Sequence, residues 1–135
     1  MKNKKVFLGG TCGSTLWRDE LTKQLHTAYF NPIVDDWTEE CIAIEDNEKE
    51  NLCDIHLYVI TKEMQGVYSI AEAVDSANRK DICTIFHVES EGFSEHQIRS
   101  LDAVSSLIKK RGGYVSSAKN MAQLAAIINN IKPDY

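Results

Sequence analysis

Short apolar runs alternate with amphipathic segments along the whole chain. The apolar runs are nearly continuous, as in strands that are buried on both faces, and they lie at residues 5–10, 31–34, 54–60, 82–88 and 114–116. Apolar residues recur at helical spacing in the segments between and after them, which predicts helices at residues 14–28, 38–51, 69–79, 94–111 and 118–131. The pattern therefore predicts five β-α units.

The alternation also predicts how the strands are arranged. Strands of this kind, joined by helices, indicate a parallel sheet that is covered by helices on both faces. Right-handed crossovers then give an α/β fold, a doubly wound, flavodoxin-like sheet of five strands in the order 2-1-3-4-5. No linker or change of composition divides the 135 residues, so we expect a single domain over residues 1–135.

Several residues mark the ends of the predicted helices. Ser14, Thr38 and Ser94 precede helical segments and are plausible N-caps. Gly112 and Gly113 follow the fourth helical segment, where glycines commonly end a helix in the left-handed conformation.

Composition and charge narrow the range of partners. The net charge is −5 and no basic face is visible, so we expect no polymeric nucleic acid partner. No apolar stretch approaches the roughly 18 residues that span a bilayer, so no membrane partner is expected either. The four cysteines form no CxxC pair and no metal-ligand spacing with histidine, which favours a reducing, cytoplasmic location and no metal site.

The predicted topology indicates where a ligand would bind. In doubly wound sheets this is beyond the carboxyl ends of the strands, at the switch point between strands 1 and 3. Gly9, Gly10, Thr11 and Cys12 should therefore face residues 61–69. The string GGTCGS matches neither the dinucleotide nor the P-loop fingerprint, so no cofactor is expected. The glycines allow either a close backbone approach to a ligand or simply a tight strand-to-helix turn.

Other polar and aromatic residues near this edge leave alternatives open. Residues 35–37 and His87 are expected at the rim, where Trp37 would stack on a flat heterocycle or pack against the sheet. Arg18 would meet a phosphate or lie solvated on the surface. His56 lies in a buried strand and is expected to be a core histidine.

Glu72 is the sharpest candidate for chemistry. It lies in GVYSIAEAVDSA, residues 66–77, where a strand passes into a helix. We expect it in the first helical turn, where free N–H groups and the helix dipole favour an ionised carboxylate. Such a carboxylate in a sugar-binding crevice can attack an anomeric carbon and form a covalent intermediate. A solvated helix residue is the alternative.

The strings VFLGGT, CDIHLYVI, SIAEAVDSA and ICTIFHV give residues 5–88 a resemblance to a known family. This part of the chain resembles the nucleoside 2-deoxyribosyltransferases, and it is most similar to their shorter, divergent branch. The resemblance implies transfer or hydrolysis of the bond between a base and a 2-deoxyribosyl group. It also implies that Glu72 is the nucleophile and that Asp46 protonates or binds the base. Asp54, which matches an aspartate at the start of the third strand, is expected to be structural.

Two positions depart from the family pattern. Phe7 stands where the family often has a tyrosine that orients the nucleophile, and Gly66 stands where it often has a second base-binding aspartate. Tyr58 or Tyr68 could supply a hydroxyl instead. Seven residues at the predicted crevice are expected to bind substrate: Gly9, Gly10, Thr11, Trp37, Gly66, Tyr68 and Ser69.

Two functions of different classes follow. The first is an enzyme that transfers or hydrolyses the 2-deoxyribosyl group of deoxynucleosides or deoxynucleoside monophosphates, which the presence of Glu72 favours. The second is a catalytically inactive module that senses a nucleotide or nucleotide sugar, which Phe7 and Gly66 favour. A site like that of NAD glycohydrolases would need a basic pocket that this sequence hardly offers. The resemblance also implies a homodimer or larger assembly, because family sites are completed by a neighbouring subunit.

Overall fold

Five strands pair in parallel to form one sheet in the order β2-β1-β3-β4-β5. This computed structural model describes residues 3–13, 16–34 and 36–133. The strands are β1 (Lys5–Gly10), β2 (Ala28–Phe30), β3 (Ile55–Ile60), β4 (Cys83–Val88) and β5 (Tyr114–Val115). The predicted α/β fold and strand order are confirmed.

Helices cover both faces of the sheet. They are α1 (Trp17–Thr22), α2 (Glu39–Asn47), α3 (Tyr68–Ala77), α4 (Glu95–Lys110) and α5 (Met121–Asn129). One apolar core joins the sheet to α1 and α5, and a second joins its other face to α3 and α4. Every residue of β3 is buried, because it alternates between the two cores: Leu57 belongs to the first and Tyr58 to the second.

The second strand was predicted in the wrong place. It was expected at residues 31–34, but the residues that pair with β1 are Ala28–Phe30. Pro32 has no N–H to donate to a sheet, and β2 is a short, partly exposed edge strand whose apolar pattern is weak. Residues 32–34 instead line a crevice that is described below.

The first helix is much shorter than predicted. It was expected over residues 14–28 but ends at Thr22, because the chain must turn back to begin β2 at Ala28. Leu25, which continued the helical spacing, packs against the first core from outside the helix. Ser14 lies outside the described residues.

The helix predicted over residues 38–51 changes its winding after Asn47. Thr38 caps its N-terminus as predicted, since its side chain accepts a hydrogen bond from the backbone N–H of Cys41. The last segment, Glu48–Leu52, is a single π-helical turn, which we call the π-turn. Glu48 fixes this turn to β1 through an ion pair with Lys5, with 2.8 Å between Lys5 Nζ and Glu48 Oε2. Turns of this kind are frequent at functional sites.

The ends of the later helices agree more closely with the sequence pattern. Ser94 caps α4, and Gly112 follows it with a φ of 102°, the left-handed conformation that glycine adopts readily. The last helix, predicted over residues 118–131, is shorter: Asn120 is its N-cap and Asn129 its last residue.

Within the described ranges, no helix is long and apolar enough to cross a membrane. In the same ranges, no three His, Cys, Asp or Glu side chains are grouped in a way that could hold a metal ion.

His56 is buried on β3 in a small polar cluster. Its Nδ1 lies 2.9 Å from Ser76 Oγ on α3, which in turn lies 2.7 Å from Thr84 Oγ1 on β4. Burial lowers the pKa of His56 from 6.5 to about 4. The histidine therefore joins three elements of the fold in its neutral form, in keeping with its predicted place in the core.

We predict that this histidine makes the fold less stable in acid. Between pH 6.5 and pH 4 the unfolded state binds a proton that the folded state excludes, so the free energy of unfolding falls as the pH falls. The contribution of His56 to this loss should be about 3 kcal/mol by pH 4. Urea unfolding of the parent and of His56→Gln at several pH values measures it. A variant that loses as much stability in acid as the parent would contradict the prediction.

Candidate functional site

A crevice of about 790 Å³ opens at the carboxyl edge of the sheet, where the topology placed it. Residues 9–13 form one wall, residues 32–34 contribute to another with Trp37 and Glu45, and the segment from β3 to α3 forms the third. Glu72 lines this crevice. The lining also includes all seven residues that were predicted to bind substrate, namely Gly9, Gly10, Thr11, Trp37, Gly66, Tyr68 and Ser69. Their role as ligand-binding residues stays a prediction.

Two glycines let β1 approach β3 closely beneath the crevice. A Cβ at Gly9 would lie 2.6 Å from the ring of Tyr58. Gly10 has a φ of 115°, and a Cβ there would overlap the backbone of Val59. Side chains larger than hydrogen are thus excluded by packing alone, so the structural interpretation of these glycines accounts for both.

Arg18 is buried, so its interpretation as a solvated surface residue was wrong. Its guanidinium donates to the carbonyl oxygens of Leu8 and Thr11, at 3.0 and 2.7 Å, and stacks over the ring of Trp17. Burial lowers its pKa, but an arginine remains cationic in proteins. Arg18 therefore braces the loop after β1 and adds a positive charge to the lining of the crevice.

Glu72 forms an ion pair with Lys49 of the π-turn. Lys49 Nζ lies 2.7 Å from Glu72 Oε2, and the side chains of Lys49 and Glu72 are only 13% and 11% exposed. Glu72 Oε1 accepts no hydrogen bond from any described residue. One carboxylate oxygen is thus held in place, and the other has no hydrogen-bond partner among the described residues.

The position of Glu72 in its helix differs from the prediction. α3 begins at Tyr68, so Glu72 is its fifth residue and lies beyond the first turn. The free N–H groups at the helix N-terminus therefore contribute less than expected, because the dipole effect falls off within one turn. The positive charge beside Glu72 is the ammonium of Lys49.

Two aromatic rings flank the ammonium of Lys49. Its Nζ lies 5.8 Å from the ring centre of Phe7 and 5.9 Å from that of Tyr68. Burial alone would lower the pKa of Lys49, but the hydrogen bond and charge of Glu72 outweigh it and the pKa is raised. Lys49 is therefore a cation at neutral pH, and Phe7, which has no hydroxyl, meets it with a ring face.

Glu45 and Asp46 are neighbours in α2 but face different spaces. Glu45 lines the crevice that contains Glu72, and burial raises its pKa. Asp46 does not line this crevice. It lines an adjacent cavity of about 380 Å³, which also reaches Lys49 and Glu72.

The remaining candidates are divided between the mouth of the crevice and positions away from it. His87 is buried, with its Nδ1 3.1 Å from Ser116 Oγ on the β5 side. Tyr58 is fully buried beneath Gly9, whereas Tyr68 is exposed at the mouth. The carboxylate of Asp54 accepts from the backbone N–H of Asn3, in keeping with its expected structural role. Trp37 is exposed and lines the mouth, whereas Asp35 lies outside the described residues.

Sequence reasoning missed Lys49 and Glu45. Both lie in the segment that was predicted as one helix over residues 38–51. One available signal was their spacing, since residues four apart lie on the same face of a helix. No local pattern indicated that the helix would end in a π-turn that carries Lys49 to Glu72.

Comparison with known proteins agrees with the resemblance. A family model described as "nucleoside 2-deoxyribosyltransferase like" matches residues 3–90, well over half of the chain. The match extends from β1 through β4 and includes both residues of the ion pair. No curated protein matches the chain significantly.

We predict that the Lys49–Glu72 pair couples the two residues strongly. Removing one partner leaves an unpaired charge on a largely covered side chain, and the coupling in a double-mutant cycle should be about 1–3 kcal/mol. The cycle uses urea unfolding of Lys49→Met, Glu72→Gln and the double variant. Glu50 and Arg79 form the matched control, because that pair is 53% and 24% exposed and should couple by less than about 1 kcal/mol. Equal coupling in the two pairs would contradict the prediction.

Proposed function

Since the chain belongs to the nucleoside 2-deoxyribosyltransferase-like family, we propose that it cleaves the N-glycosidic bond of 2-deoxynucleosides or their monophosphates. The 2-deoxyribosyl group passes to another base or to water. Glu72 is the nucleophile, and the ligand occupies the crevice at the carboxyl edge of the sheet.

The arrangement of Glu72 is the observation that carries this proposal. Its Oε2 is held by Lys49, its Oε1 has no partner among the described residues, and the side chain lines the crevice. A carboxylate that is fixed through one oxygen can present the other to an anomeric carbon without losing further side-chain freedom. A solvated helix residue would have neither the buried ion pair nor the crevice.

The reaction divides into two steps. Glu72 Oε1 forms a bond to C1′ of the sugar while the bond from C1′ to the base nitrogen breaks, and the base leaves with that electron pair and a proton from an acid. Water or a second base then attacks C1′, loses its proton, and releases the Glu72 carboxylate. Asp46 as the acid that binds or protonates the base stays a prediction from the resemblance.

Glu72→Gln tests the nucleophile. We expect the turnover of deoxynucleosides to fall by about 10³-fold or more, because the amide cannot form the glycosyl ester. The assay incubates the protein with a panel of deoxynucleosides and monophosphates, with and without acceptor bases, and separates the products. Turnover is expressed per folded molecule, since the loss of the ion pair also lowers stability. Undiminished cleavage by Glu72→Gln would mean that the nucleophile is another group.

An inactive sensor of the same fold is the second candidate. Phe7 lies beside Lys49 and offers no hydroxyl to Glu72. Among the described residues, Glu72 instead bonds to the ammonium of Lys49, and a strong ion pair lowers the nucleophilicity of a carboxylate. Binding of a nucleotide without release or exchange of the base over the whole panel would favour the sensor.

We further propose that the working unit is a homodimer or larger assembly. α2 buries none of its residues in the described chain, and several large apolar side chains near the crevice are exposed: Ile33, Val34, Trp37, Ile42, Ile44, Val67 and Tyr68. A second copy that packs on this surface would cover it and add a wall to the crevice.

The four cysteines are free thiols, which supports a reducing, cytoplasmic location.

Light scattering tests the assembly. We expect a mass of at least twice the 15.2 kDa of one chain, and we expect Ile44→Glu to reduce it because a charge cannot be buried in the apolar contact. Leu107→Glu is the control, since Leu107 is exposed to a similar degree on α4, which packs on β4 and β5. A parent protein of 15.2 kDa at working concentration would contradict the proposal.

A further inference from the structure

The side chains of Glu45 and Asp46 project in different directions because the two residues are neighbours in an α-helix. Successive residues lie about 100° apart around the axis, so two neighbours point in different directions. Glu45 lines the larger crevice at the carboxyl edge of the sheet, where the ligand is proposed to bind, whereas Asp46 lines only the smaller adjacent cavity; Glu72 reaches both. An acid that protonates a leaving base must reach the space in which the base lies.

Resting on the proposed function, we propose that Glu45 is the catalytic acid that protonates the leaving base and later takes a proton from the attacking group. In the first step its carboxyl proton passes to the base nitrogen as the bond to C1′ breaks and Glu72 bonds to C1′. In the second step its carboxylate accepts the proton of the attacking water or base, and Glu72 leaves. Each step conserves protons and charge.

Lys49 gives this assignment an electrostatic reason. It follows Glu45 by four residues, and Glu45 and Glu72 both act on its charge. In the proposed reaction Glu45 starts protonated, beside the ion pair between Lys49 and Glu72. In the covalent intermediate Glu72 is a neutral ester and Glu45 is the anion. The summed charge of the three groups stays at zero, so the largely buried ammonium keeps a carboxylate partner in both states.

The surroundings of Glu45 favour the protonated form at the start. Burial is the largest cause and raises the pKa of Glu45, and the carboxylates of Glu72 and Asp46 raise it further. Lys49 from the π-turn and Arg18 from α1 act in the opposite direction and do not outweigh them. Two carboxyl groups with different charges in one site are the usual arrangement when one acts as acid and the other as nucleophile.

A comparison of two substrates shows whether Glu45 acts as a catalytic acid or only as a structural residue. The base of a deoxynucleoside needs a proton to leave, whereas the phenolate of 4-nitrophenyl 2-deoxyriboside leaves without one. We expect Glu45→Gln to lower the turnover of deoxynucleosides by about 10²–10⁴-fold and to spare the nitrophenyl substrate. The parent should also lose activity as the pH rises through the pKa of the acid, and Glu45→Gln should lack this dependence.

Glu40→Gln is the control, because Glu40 lies on the same helix, is exposed and lines neither cavity. It should behave like the parent on both substrates. If Glu45→Gln loses both substrates equally, or neither, the assignment is wrong. If Asp46→Asn alone shows the leaving-group dependence, Asp46 is the acid instead. A parent that cleaves neither substrate would overturn the proposed function itself, and Glu45 with it.

Discussion

The ion pair between Lys49 and Glu72 joins the two segments that lie over the central strands, and the geometry of the crevice depends on it. Lys49 reaches Glu72 because the chain leaves α2 through a π-turn, which Glu48 ties to β1. The pair thereby connects β1, the π-turn and α3. Because both side chains are almost excluded from water, each charge is costly without the other. A ligand that takes up the charge of one partner must therefore compensate the other.

The strands were predictable where burial determines the residue types. β3 is buried on both faces, so nearly every residue is apolar and the run is unmistakable, and the right-handed crossover rule then leaves few possible strand orders. β2 is a three-residue edge strand that is partly exposed, so its residues are not held to one pattern, and the neighbouring apolar run at residues 31–34 was taken for it. Residues 32–34 of that run line the crevice instead.

The site was predictable only as far as topology determines it. The strand order places Gly9 and Gly10 near Glu72 at the carboxyl edge of the sheet, whichever side chains the intervening segments carry. The strand order does not determine which residue pairs with Glu72. That pairing depends on where one helix changes its winding, a difference of a few backbone angles that no local residue pattern marked. The sequence also could not separate Glu45 from Asp46, because which of two neighbouring helix positions faces the crevice depends on how the helix is oriented on the sheet.

The access of water to the crevice would affect whether this site performs hydrolysis or transfer. In the proposed reaction, a covalent 2-deoxyribosyl intermediate on Glu72 would react with whatever nucleophile reaches C1′, and water is far more concentrated than any free base. In the single chain Trp37 and Tyr68 are exposed at the mouth, so the crevice is open to water, which would favour hydrolysis. Transfer to a second base requires that water be excluded while the base is bound. The same apolar surface that would hold a second copy surrounds the mouth, so in the proposed function assembly would also affect the choice between transfer and hydrolysis.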